Sequence, residues 1–61
     1  MKKNKKKQQK IRIYFVDGKT DVIPQRFWDD YLYTDKLFVA IRKGEWIATY
    51  NLDSISAIIV E

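Results

Sequence analysis

Sixty-one residues hold at most one domain, and a chain this short buries a smaller share of its surface than a longer one. With no cysteine and no histidine, disulfides, thiolate chemistry and the usual nitrogen and sulfur ligands of zinc are excluded, so packing must hold the fold. The formal net charge of +4 is unevenly spread: residues 1–10 carry six lysines and no acid, whereas residues 11–61 carry six basic and eight acidic side chains, a net of minus two.

Lys2, Lys3, Lys5, Lys6, Lys7 and Lys10, with Asn4, Gln8 and Gln9 between them, repel one another and have almost nothing apolar to bury. This composition predicts a disordered tail over 1–10 and a single domain over 11–61. The apolar run after the tail, Ile11 to Val16, is six residues long, too short for the core of a signal peptide or for a membrane span. Together with the lack of cysteine, it sets a cytoplasmic location as the expectation.

Ile11-Arg12-Ile13-Tyr14-Phe15-Val16 alternates on the strand period, with Ile11, Ile13 and Phe15 on a core face. Asp17-Gly18 then predicts a two-residue type I′ hairpin, and Lys19 to Ile23 a second strand folding back on the first. Pro24 to Leu32 has its apolar residues at 27, 28, 31 and 32, on one side of a short helix that Pro24 would open. An aromatic loop or an irregular strand is the alternative, because the run is short and Ile23 caps poorly. Leu37 to Arg42 and Trp46 to Asn51 form a hairpin around Lys43-Gly44, and after the turn-rich Asn51 to Ser54 a last strand runs from Ile55 to Val60. That last strand is apolar on both faces near its end, so one face needs a helix, a barrel wall or a second copy of the chain. The expected fold is mainly β, in the order β-β-(short α)-β-β-β. It is either a small, strongly bent five-stranded sheet or an SH3/Sm-like barrel, with homo-oligomers through an edge or a ring as one outcome.

No nucleophile stands in a catalytic motif, and Gly18 and Gly44 sit in turns and form no phosphate-binding loop. Asp29, Asp30 and Asp35 are the one acid cluster, read as a solvated surface and not as a cation site. The chain is therefore expected to be no enzyme and to carry no cofactor and no metal. Its nine aromatic residues are more than so small a core can enclose, which points to binding. The aromatic-acidic segment of Phe27, Trp28, Asp29, Asp30, Tyr31 and Tyr33 is the candidate contact surface for a protein partner. The function this implies is that of a small regulatory binding protein of the kind phages and mobile elements encode. The alternative is a nucleic-acid-binding accessory protein. There Lys2, Lys3, Lys5, Lys6, Lys7 and Lys10 would neutralise phosphates while Tyr14, Trp28 and Tyr31 lie against bases.

Ile11-Arg12-Ile13-Tyr14-Phe15-Val16-Asp17-Gly18 resembles the first strand and turn of Sm-like, Hfq-type small β-barrel proteins, and Leu52-Asp53-Ser54-Ile55-Ser56-Ala57-Ile58 is similar to their last strand. The resemblance implies a bent five-stranded barrel, ring assembly and binding of single-stranded RNA. The chain departs from the pattern in having no glycine near Val22 and a long Phe27 to Lys36 segment. Tyr50-Asn51-Leu52 stands where the family has its Tyr-Lys-His RNA-binding signature, so no RNA site is transferred.

Overall fold

The computed structural model describes residues 9–61, and the tail expected over 1–10 lies, apart from Gln9 and Lys10, outside the described residues. Six strands follow in chain order: β1 (Ile11–Phe15), β2 (Thr20–Ile23), β3 (Asp30–Tyr33), β4 (Leu37–Arg42), β5 (Glu45–Asn51) and β6 (Ile55–Val60). Two single 3₁₀ turns, Gln25–Phe27 and Leu52–Ser54, link β2 to β3 and β5 to β6. The strands form two antiparallel three-stranded sheets, β2-β1-β6 and β3-β4-β5.

The mainly β expectation therefore holds, but the five-stranded sheet, the short α-helix and the closed barrel do not. Six strands are present, and no ladder joins the two sheets among the described residues. Pro24 and the 3₁₀ turn behind it separate β2 in one sheet from β3 in the other. The helical period over 24–32 fails because the chain leaves that turn in extended conformation at Trp28 (φ −146°, ψ 153°). From there Asp30–Tyr33 gains a full ladder with β4, where a free-standing two-turn helix would gain little.

The first hairpin also differs from the expected type I′ turn. Gly18 N–H donates to Phe15 O at 3.0 Å and Phe15 N–H to Lys19 O at 2.8 Å, so the loop is Val16-Asp17-Gly18 and only Gly18 has positive φ (93°). The extra loop residue moves the register by one, pairing Ile11 with Ile23, Arg12 with Val22 and Ile13 with Asp21. Since side chains alternate, the shift turns Ile23 into the core and Val22 out to solvent. The second hairpin does have the two-residue form, with both Lys43 (φ 54°) and Gly44 (φ 81°) left-handed between the pair Arg42 and Glu45.

The core lies between the sheets. Ile11, Ile13 and Ile23 from one sheet meet Phe38 and Ala40 from the other, Trp28 joins them from the corner, and Phe15, Tyr50, Leu52, Ile55, Ile58 and Val60 pack around this group. Ile58 and Val60 thus take the inward side of β6, while Ile59 on its outward side stays exposed beside its ladder partner Arg12. No helix among the described residues covers that outward side. Lys10 and Glu61 exchange backbone hydrogen bonds (2.6 and 2.9 Å), which carries the β1–β6 ladder one pair beyond the strands. No helix among the described residues is long and apolar enough to cross a membrane.

Candidate binding surface

The connections sort the charged and aromatic side chains between the two ends of the sandwich. At one end lie Lys10, the corner Pro24 to Asp29, the β4–β5 turn Lys43-Gly44 and Glu61; at the other lie the Val16 to Lys19 loop, Thr34 to Lys36 and Asn51 to Ser54. The six residues expected to act together as one aromatic-acidic surface are divided by this arrangement.

Trp28, expected at the surface, is 7 % exposed and belongs to the core. Its buried Nε1 has no hydrogen-bond partner, which makes it the one orphaned buried side-chain polar atom among the described residues. Asp29 is structural: its Oδ2 accepts from Lys43 N–H at 3.0 Å, and its own N–H donates to Ile41 O at 2.9 Å, so it pins the corner to the β4–β5 turn. Phe27 is 45 % exposed, and its ring lies under the Arg26 guanidinium, 4.8 Å from ring centre to Cζ.

Asp30, Tyr31 and Tyr33 remain together on β3. Tyr31 and Tyr33 pair with Ala40 and Phe38, which places both rings over the inward side of β4, at the open margin of the sandwich. They are 39 % and 55 % exposed and touch each other edge to face (6.3 Å between ring centres). Beneath them Tyr31 packs against Trp28 (6.0 Å) and Tyr33 against Phe38 (5.1 Å), and from Phe38 the ring contacts continue through Tyr50 (6.4 Å) to Phe15 (6.1 Å). The two tyrosines are thus the solvent-facing end of a packed aromatic row, held in place by the core and free on their outer side.

β3 is also a sheet edge. Thr34 N–H donates to Leu37 O at 2.8 Å, and the alternation of an antiparallel ladder then turns the backbone groups of Tyr31 and Tyr33 away from β4. Tyr31 N–H is taken up by Asp30 Oδ1 at 2.8 Å. The other sheet repeats the device on its edge strand β2, where Val22 N–H donates to Asp21 Oδ1 at 2.9 Å. Each carboxylate occupies a donor that a foreign strand would need, so side chains and not strand addition are what β3 offers a partner.

Two further groups have shifted equilibria. Burial, aided by its hydrogen bond to Asp21 Oδ2 (3.0 Å), pushes the Tyr50 hydroxyl up to about 12. Tyr14 and then Glu61, which pairs with Arg12 at 2.9 Å, hold the Arg12 guanidinium above its ordinary value. No group of three or more acids among the described residues could hold a metal ion. Of the lysines proposed for phosphate contact, Lys2, Lys3, Lys5, Lys6 and Lys7 lie outside the described residues, and Lys10 stands at the end of the sandwich beside Pro24, Gln25 and Arg26.

No protein-family model, curated protein or solved structure matches this chain. The surface has to be read from its own chemistry. Sequence reasoning missed Trp46, which is 55 % exposed beside an exposed Ile47. A bulge in the β4–β5 ladder sets Trp46 opposite Ile41 and leaves Ile47 as the extra residue, and alternating hydropathy carries no mark of such a bulge.

Proposed function

We infer that this protein is a small non-enzymatic binding module that acts by contact with another protein through the tyrosine edge of β3. The reading rests chiefly on the exposure of Tyr31 and Tyr33, whose inner sides pack on Trp28 and Phe38. Two large amphipathic rings already fixed by Trp28 and Phe38 lose little freedom on contact, which is the character of interface hot spots. Asp30 alternates onto the opposite face of β3, so the patch is defined by its two rings, and the partner surface that fits is apolar at its centre with acceptors or donors for the two hydroxyls. The Sm-like resemblance falls on β1 with its turn and on β6 with the 3₁₀ turn before it, which are neighbours across one ladder. The two separate three-stranded sheets differ from the closed five-stranded barrel it implies, and it supplies no RNA-contacting residue.

The test is Tyr33→Ala in full-length protein used as bait in nuclease-treated extract of the cells that make it. Since Tyr33 is largely exposed, the variant should keep its cooperative melting while recovery of the partner falls by at least about tenfold. Undiminished recovery would remove the tyrosine edge from consideration.

A further inference from the structure

We propose that the outward face of the β3-β4-β5 sheet, centred on Val39, is where a second copy of this chain docks, face to face about a two-fold axis. The two sheets of the sandwich are finished differently on their outer sides. In the β2-β1-β6 sheet the central strand turns Arg12 and Tyr14 outward, where Arg12 Nη1 donates to the Tyr14 hydroxyl (3.4 Å) and Arg12 also pairs with Glu61. The central strand of the other sheet has no such alternation. Phe38 and Ala40 face the core, and the outward residues of β4, Leu37, Val39 and Ile41, are apolar too, a run characteristic of strands covered on both sides. Val39 is fully buried although it belongs to no part of the group between the sheets. The neighbouring strands extend this surface, with Leu32 beside Val39 on β3 and Trp46 beside Ile41 on β5. The bulge enlarges it. Ala48 packs towards the core, so alternation carries Ile47 outward, and the pairing with Ile41 carries Trp46 outward as well. Two large apolar side chains, each about half exposed, thus stand where a regular strand presents one.

Charge, chain size and area select a second copy as the occupant. Among the ladder residues that alternate outward here, Asp30 supplies the one charge, and it stands at the start of an edge strand. A face without a charge pattern has little with which to select an unlike partner, and a charge-poor, apolar centre is the composition of homodimer contacts. The chain has no cysteine or histidine, and no metal-holding group lies among the described residues, so oligomerisation is the device left to a domain of this size for burying more apolar surface. As for area, three strands about 4.8 Å apart and the run Leu37 to Ile41, rising about 3.3 Å per residue, make a patch of about 15 by 17 Å. Two such patches packed together would remove on the order of 800–1,000 Å² of accessible surface, the lower end for a specific contact, which corresponds to micromolar and not nanomolar dimerisation. Tyr31 and Tyr33 alternate to the other side of β3, so the dimer leaves the tyrosine edge open.

Sedimentation velocity of the full-length chain from about 5 to about 500 µM tests the proposal, with a reversible monomer–dimer equilibrium as the expected result. Ile47→Lys, at an exposed bulge position, should keep cooperative melting and weaken dimerisation by at least about tenfold. Ile59→Lys, on the outward side of the other sheet, and Tyr33→Ala should leave the equilibrium unmoved. Trp28→Phe locates the contact without disturbing it, because Trp46 is then the one tryptophan: its emission should move to shorter wavelength over the concentrations at which the dimer forms. A chain that stays monomeric at the highest concentration would overturn the proposal and leave the face to an unlike partner. So would a dimer that Ile47→Lys does not weaken, a dimer that leaves the Trp46 emission unshifted, or assembly beyond two copies, since a two-fold, face-to-face contact uses up the face.

Discussion

Trp28 shows how much turns on the placement of one ring. As an exposed anchor it would be replaceable without loss of fold; as a core residue wedged between Tyr31 and the aliphatic cluster it is not. Trp28→Ala is expected to destabilise the protein by about 3–5 kcal/mol in chemical denaturation, enough to threaten a domain of this size. Trp28→Phe should cost much less, because it removes a buried N–H that has no acceptor. Tyr50 supplies a pH test. Its folded hydroxyl titrates near 12 against an ordinary value of 10, so above pH 10 the unfolded chain gives up a proton that the folded chain keeps. Its contribution is therefore full below pH 10 and is lost as pH rises towards 12. Urea titrations at pH 8 and pH 11 should show a smaller loss of stability for Tyr50→Phe than for the wild type, and equal losses would refute the assignment.

At the scale of elements, the two hairpins respond in opposite directions to a change of turn residue. Gly18 stands at positive φ with open space around it, so Gly18→Ala meets only the backbone penalty, about 1–2 kcal/mol. Lys43 already bears a strained left-handed conformation, and Lys43→Asn creates the Asn-Gly pair that this turn favours, for a gain of about 0.5–1 kcal/mol. Thermal melts of both variants check the signs. The edge strands make a further test: Asp21→Ala with Asp30→Ala frees the amides of Val22 and Tyr31, and light scattering should then detect more self-association than in the wild-type chain at the same concentration. These elements also mark what was legible in the sequence. β1, the β4–β5 hairpin and β6 follow from alternation and glycine placement, since each is defined by neighbours along the chain. The register of β2 was not legible, because Val16 reads as a strand residue and only the closed loop shows it to be part of the turn. Nor was β3, whose apolar spacing at 27, 28, 31 and 32 suits a helix until β4 is present to pair with it.

At the scale of the whole molecule, the sequence shows a basic tail and an acidic domain, whereas the fold mixes both signs at each end. Arg26, Arg42 and Lys43 meet Asp29, Glu45 and Glu61 at the end where Lys10 stands, while Lys19 and Lys36 accompany Asp17, Asp35 and Asp53 at the far end. The candidate surface was legible only in part for the same reason. Tyr31 and Tyr33 could be picked out as exposed rings, but Trp28 is assigned to the core, Asp29 to the joint between the corner and the β4–β5 turn, and Phe27 to the Arg26 guanidinium by contacts that no local pattern encodes. The central claim is that the tyrosine edge of β3 is where a protein partner sits. The most direct measurement is photo-crosslinking from a benzophenone amino acid placed at position 33 and, as control, at position 59 on the outward side of β6 in the other sheet. A discrete protein adduct from position 33 that is absent from position 59 is the expected result; no adduct, or the same adducts from both positions, would contradict it.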